Sequence, residues 1–349
     1  MKQYLLADSD GVIFGDNCRN EYGSIRQKFV RYHYDIGDID INNVLDFYPE
    51  WRDDTEYFCL KGLPLIEGLP LKYKFVKCAK RGNDVYRFLV NQRLEPLRNL
   101  GTITFFDESW GTKTTRLLFV TLTYDTKRCD SDTAWDSIGK EFHLWCNNLR
   151  KHYDCKIELF RTWESTKSLY PHVHLLLLFP DKDFEIFEHR DKDDKRTFRI
   201  SNTERDVISS YWHSNVDIQG VEDTQGAIKE LVKYITKDLC SKKGDTTNAL
   251  LWLHNKQSYS ISKGFEDWLR TLFDIHNGIK EPSIDDLIYT DMANCNQPEY
   301  KWEFIGILRG CDLGFSHELW VIDIGKPPPD IQDKLDCEYV RWNALHGGR

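Results

Sequence analysis

Two short stretches hold the residues best suited to chemistry. Tyr170-Pro171-His172-Val173-His174 runs into four leucines. In an extended strand, residues two apart point the same way, so His172 and His174 project together while Val173 faces the opposite layer. Two neutral imidazoles at that spacing can hold one divalent cation and leave room for a carboxylate and an anionic substrate. Glu164 closes the preceding apolar alternation. If it pairs antiparallel with the histidine strand across the 165–171 loop, its carboxylate reaches the same cation. Further on, Tyr234-Ile235-Thr236-Lys237 sets a phenol and an ammonium on one helix face. A phenol with a pKa of about 10 is a poor nucleophile at neutral pH, and a nearby ammonium favours the phenolate. Glu230 lies one turn before Tyr234 on the same side, and Lys233 on an adjacent face can contact a phosphate. Together these residues point to a metal-assisted transesterase in which a tyrosine attacks a DNA phosphate. Each part has an ordinary reading as well. His-x-His and Tyr-x-x-Lys recur widely without chemistry, and Glu230 with Lys233 or Lys237 also fits a solvated charge pattern.

The surrounding pattern supplies elements to position them. Residues 117–124 read as a strand. A helix follows over 133–152, with Trp135, Ile138, Phe142, Trp145 and Leu149 in one apolar stripe. Asp130, Ser131 and Asp132 are its candidate caps. Residues 157–163 alternate as a second strand. Residues 173–179 are too continuously apolar for one wet face, which predicts a central strand covered on both sides. Residues 204–213 suit a short helix and 215–219 a strand. A helix over 225–239 buries Ile228, Leu231, Val232, Ile235 and Leu239, and Gly244 with the threonines after it closes that unit. The segment 107–113 reads as a turn, 181–195 as a charged loop or hairpin, 265–275 as a helix, and Pro327-Pro328-Pro329 as extended chain. No crossover helix separates 157–163 from 173–179. The predicted class is therefore α+β: a central antiparallel sheet flanked by helices, with the histidines on a central strand and the tyrosine on a helix. The organisation reads as an N-terminal segment 1–110, a core 111–280 and an acidic C-terminal segment 281–349.

Composition bounds the possibilities. The chain has 349 residues, is 40% hydrophobic and carries a net charge of -9. Residues 111–280 balance at 26 acidic and 26 basic side chains, whereas 281–349 carry -7. Bulk charge thus argues against a whole-protein affinity for nucleic acid, but leaves room for a local basic face. Ten scattered cysteines without a Cys-x-x-Cys pair read as free thiols in a reducing cytoplasm. No signal-peptide pattern follows Met1, and no run approaches the roughly eighteen apolar residues of a membrane span. No Gly-x-x-x-x-Gly-Lys-Ser/Thr is present, which disfavours a helicase within the chain.

Phe119-Val-Thr-Leu-Thr-Tyr124, Tyr170-Pro-His-Val-His-Leu175 and Glu230-Leu-Val-Lys-Tyr-Ile-Thr-Lys237 resemble the three ordered motifs of rolling-circle replication initiators, within the histidine-hydrophobic-histidine endonucleases. The closest likeness is to single-tyrosine plasmid replication proteins, and it covers about residues 115–240, with Tyr259-Ser-Ile-Ser-Lys-Gly264 as a further candidate feature. The resemblance implies that His172, His174 and Glu164 bind Mg²⁺ or Mn²⁺ and that Tyr234 attacks. Thr121 and Thr123 would support the metal ligands or DNA. Initiators with two catalytic tyrosines place one near position 230, where this chain has Glu230; that favours the single-tyrosine type, in which the glutamate helps water end the cycle. The implied partners are single-stranded or hairpin origin DNA, a host helicase and a host DNA polymerase, in the cytoplasm of a prokaryotic or virus-infected cell. A single-tyrosine transposase or relaxase would share this chemistry. A non-catalytic nucleic-acid-binding or structural protein remains the reading of a different class.

Overall fold

A computed structural model describes residues 39–98, 107–109, 112–190, 194, 196–237, 242–277, 300–314 and 321–346. Its elements in chain order are α1 (Val44–Asp53), β1 (Glu56–Pro64), β2 (Lys72–Lys77), α2 (Asp84–Arg98), β3 (Asp107–Ser109), β4 (Thr112–Thr115), β5 (Leu117–Thr123), α3 (Ser131–Tyr153), β6 (Glu158–Ser165) and β7 (Pro171–Leu178). There follow β8 (Phe184–Arg190), β9 (Arg196–Ile200), α4 (Asn202–Ser210), β10 (Val216–Gly220), α5 (Thr224–Lys237), α6 (Lys242–Leu253), β11 (Tyr259–Ile261), α7 (Lys263–Asn277), β12 (Tyr300–Arg309), α8 (Gly310–Leu313), β13 (Val321–Ile324) and α9 (Pro329–His346). The fold is α+β, with antiparallel sheets flanked by helices. Among the described residues no helix is long and apolar enough to cross a membrane, and the described cysteines are free thiols.

Two units divide the described chain: 49–86 with the residues from 300 onward, and 39–48 with 87–277. In the first, the sheet order β12-β1-β2-β13 joins strands from the two flanks. Its core gathers Tyr57, Cys59, Phe75, Ile305, Leu308 and Leu335. Pro329 opens α9 rather than continuing an extended run, a position where its missing N–H costs no helical hydrogen bond.

The second unit carries the candidate chemistry. Its main sheet has the order β10-β5-β7-β6-β11, which puts β7 at the centre. Every side chain from Val173 to Phe179 is buried, because α3 packs on one face of β7 and α5 on the other. Asp130 caps α3 by accepting from Thr133 N at 2.8 Å. The predicted stripe Trp135, Ile138, Phe142, Trp145 and Leu149 is buried; each such side chain contributes roughly 1.5–3 kcal/mol on leaving water. On α5, Ile228, Leu231, Val232 and Ile235 are buried as expected. Leu239 lies outside the described residues.

A second sheet in this unit, β3-β4-β8-β9, corrects one expectation. Residues 107–115 form a hairpin rather than a simple turn, because Thr112 to Thr115 pair both with β3 and with β8. The charged segment 181–195 forms the β8–β9 hairpin, with Phe184 and Ile186 turned inward. A second correction concerns Gly244, which does not end a helical unit but falls in the first turn of α6. There its propensity cost is offset by burial of Ala249, Leu250, Leu251 and Trp252.

Gly264 has a steric reason to be glycine. Glu158 accepts a 2.6 Å hydrogen bond from Ser262, and a Cβ at Gly264 would lie 2.3 Å from the Glu158 carboxyl carbon. Gly264→Ala is expected to displace that carboxylate and to cost about 1–3 kcal/mol of stability. A thermal melt at wild-type value would refute this.

Candidate active site

The register of the central sheet brings the predicted residues together. Across β5–β7, Thr121 sits opposite His174 and Thr123 opposite His172. Across β6–β7, Glu164 sits opposite His172 and Thr162 opposite His174. Directly opposed residues of antiparallel strands share a face, so all six point toward α5. The turn between β6 and β7 is fixed by Thr166 and Tyr170, which exchange hydrogen bonds through Thr166 N and Thr166 Oγ1. Leu169 adopts φ +66° there, and its carbonyl accepts from Trp135 Nε1 at 2.7 Å.

His174 is held from both ring nitrogens. Its Nε2 lies 2.9 Å from Glu164 Oε2, and its Nδ1 lies 3.2 Å from Thr121 Oγ1. An ionised Glu164 can only accept, which puts the proton on Nε2 and leaves Nδ1 to accept from the threonine hydroxyl. The His172 and His174 rings stack with centroids 4.8 Å apart. On the other side of His174 the Tyr234 ring stacks at 3.9 Å and 10°. Tyr234, on α5, is thereby laid against the histidine pair.

Burial pushes the Tyr234 phenol above its ordinary pKa, and the negative charges of Glu230 and Glu164 add to this, as does a hydrogen bond with Glu230. The phenol is therefore neutral near pH 7. Lys237, expected to act in the opposite direction, has a side chain outside the described residues. Glu230 also pairs with Lys233 at 3.5 Å, with the lysine exposed, so the helical charge pattern and the contact to Tyr234 coexist.

Whether these residues suit a divalent cation can be tested on the donors. Two imidazoles and a carboxylate are the right kind of set for Mg²⁺ or Mn²⁺. The 2.9 Å between Glu164 Oε2 and His174 Nε2 is also near the separation of about 3 Å between adjacent ligands on an ion with bonds of about 2.1 Å. The third donor is not drawn in: the rings of His172 and His174 lie face to face. Among the described residues no group of three or more His, Cys, Asp or Glu side chains is gathered to hold a metal ion. The fit is thus one of donor type and of one donor pair.

Residues 117–239 match a family model described as a replication-associated protein of the ORF2 type. The match supports a replication initiator family and, with it, a role in replication initiation. It is consistent with a nuclease or transesterase that binds origin DNA. No curated protein and no solved structure matches the chain. The matched segment begins with β5 and extends just past α5, so it takes in the strand bearing Thr121 and Thr123, the histidine strand and the tyrosine helix.

On the opposite face of this replication-associated segment lies a network that sequence reasoning missed. Tyr124 donates to Glu141 at 3.1 Å and touches Ser137 at 3.0 Å, while Arg128 and His213 reach the same carboxylate at 3.3 Å each. Burial is the main reason the Tyr124 phenol is pushed up to about 12. Burial and then Arg128 lower the His213 pKa. Trp212 Nε1 donates to Thr123 O at 2.8 Å, so this network anchors the end of β5 just where Thr123 faces the site. No motif spacing in the sequence connects His213 to Glu141.

Proposed function

We propose that this chain is a site-specific single-stranded DNA nicking and joining enzyme that initiates rolling-circle replication of a plasmid or virus. The observation that carries the proposal is the stacking of Tyr234 on His174, with Glu164 and Thr121 holding the same imidazole, inside a segment matched by a replication-associated family. His172, His174 and Glu164 are the residues that would hold Mg²⁺ or Mn²⁺, which when bound would polarise the scissile phosphate. Tyr234 Oη gives up its proton and attacks phosphorus. The Oη–P bond forms as the P–O3′ bond breaks, and the departing O3′ takes up a proton. The products are a 5′-phosphotyrosine link and a 3′-hydroxyl that a host polymerase can extend. Unwinding falls to a host helicase.

Glu230 belongs to the end of the cycle. Its carboxylate, hydrogen-bonded to Tyr234, is placed to act as general base for a water that hydrolyses the link. Incubation with labelled single-stranded DNA and Mn²⁺, followed by denaturing electrophoresis, is expected to give a covalent protein–DNA product. Absence of any adduct would refute the proposal. Glu230→Ala removes one of the charges that hold up the phenol pKa, so the first nick and the adduct persist. Hydrolytic release is expected to slow by about 10²–10⁴-fold. Equal loss of both steps would instead make Glu230 a structural residue.

A further inference from the structure

One lateral row crosses the whole five-stranded sheet on the face toward α5. Asp217 of β10 opposes Thr121, Thr121 opposes His174, His174 opposes Thr162, and Thr162 opposes Tyr259 of β11. The row is closed on one side of the histidine and open on the other. Thr162 and His174 are buried, and α5 packs on β6 and β7. Toward β10 the cover ends: Phe119, Thr121, Thr123 and Gln219 are half-buried and Asp217 is exposed. Strands stand about 4.8 Å apart, so Asp217 lies roughly 10 Å across the sheet from His174. Among the described residues, this is an open floor bordering directly on the candidate site.

At its outer edge is a carboxylate fixed by two donors. Arg199, reaching over from β9, donates to Asp217 Oδ1 and also to Ile218 O at 2.9 Å. Gln219 Nε2 donates to Asp217 Oδ2 at 2.9 Å. A carboxylate offers about four acceptor positions, so each oxygen keeps capacity after these bonds, and Asp217 remains 48% exposed. The same residue lines a groove of about 710 Å³ with Phe187, Arg199 and Arg205, within the size range of ligand clefts.

A bare acidic group would repel a phosphate backbone. One neutralised by arginine and held rigid can do something else for DNA, which is to accept a hydrogen bond from a base. Phosphate contacts position a strand, whereas base-edge contacts specify it. We infer that the β5–β10 floor receives a nucleotide next to the scissile phosphate, and that Asp217, oriented by Arg199 and Gln219, selects a base bearing an exocyclic amino group. Cytosine, whose N4 amino group pairs with acidic side chains, is the first candidate, and thymine, which has no amino group, is excluded. This rests on the nicking activity proposed above. Asp217 is a specificity residue, outside the residues that touch the reacting phosphate.

The test uses a random pool of single-stranded oligonucleotides with Mn²⁺, captured as covalent adducts and sequenced. The wild type is expected to exclude thymine at one position beside the nick. Asp217→Asn offers an amide donor to thymine O4 and should admit thymine at that position by about tenfold or more, with other positions unchanged. In the wild type alone, replacing the selected base by its analogue without the amino group should weaken capture by a similar factor. This second arm does not depend on the variant's stability. An identical motif from wild type and Asp217→Asn, or indifference to the amino group, overturns the inference while adduct formation stands. No adduct from any sequence overturns the nicking activity itself.

Discussion

Tyr234→Phe is expected to abolish both the nick and the covalent adduct, by about four orders of magnitude or more, as removal of an attacking residue does. The substitution removes one oxygen. The ring keeps its 3.9 Å stack on His174, and what is lost is the hydrogen bond to Glu230. Such a bond contributes about 1 kcal/mol, so the melting temperature should move little. Binding of single-stranded DNA, followed by fluorescence anisotropy, should persist. Mass-spectrometric mapping of the phosphotyrosine in the wild type gives an independent check. A peptide containing Tyr259 or Tyr170 instead of Tyr234 would overturn the assignment, and so would undiminished nicking by the phenylalanine variant. The tyrosine of the Glu141 network is a poor competitor on physical grounds. The Tyr124 hydroxyl is tied to Glu141 and Ser137 on the far face of the sheet.

The parts of this fold legible in the sequence are those where local periodicity and burial agree. The α3 stripe from Trp135 to Leu149, the Asp130 cap and the central position of Val173 to Phe179 all follow from pattern, because each buries a face that its own spacing defines. The pairing of Glu164 with His172 was legible as well, since a short loop between two strands leaves an antiparallel hairpin as the simple solution. Illegible features depend on partners distant in the chain. β1 pairs with β12, and Tyr57 lies opposite Leu308; nothing in either segment announces the other. Thr112 to Thr115 gain their strand character from β8, and α6 forms around Gly244 because its later residues have a core to enter. At the site, types and spacing indicated His172, His174, Glu164 and Tyr234 as a set. They did not indicate the flat stacking of Tyr234 on His174 or the upward shift of its phenol, which depend on how closely α5 lies on β7. The contribution of Asp217 was equally hidden, because Arg199 and Gln219 acquire it as a partner only once β9 and β10 are side by side.

Replacing His172 and His174 together with alanine is expected to lower Mn²⁺ affinity by at least about 100-fold, beyond the range for outer-shell substitutions, and to abolish nicking. The two losses need separating from damage to the fold. His174 is buried, bonded to Glu164 and Thr121 and stacked under Tyr234, so its removal leaves a cavity and strips a partner from a half-buried carboxylate. That alone is expected to cost about 1–3 kcal/mol. His172→Ala by itself is the cleaner probe, because the Glu164–His174 contact survives it. If the cation draws His172 in as a third donor, this single change weakens Mn²⁺ binding, read by calorimetry or by the electron paramagnetic signal of free Mn²⁺, with little change in the melt. Tyr234→Phe, which removes no donor of the set, should bind Mn²⁺ like the wild type. Wild-type affinity and nicking in the double variant would sink the metal site. Metal binding lost in His174→Ala but fully kept in His172→Ala would give a site built on Glu164 and His174 alone, consistent with the pair the fold already holds 2.9 Å apart.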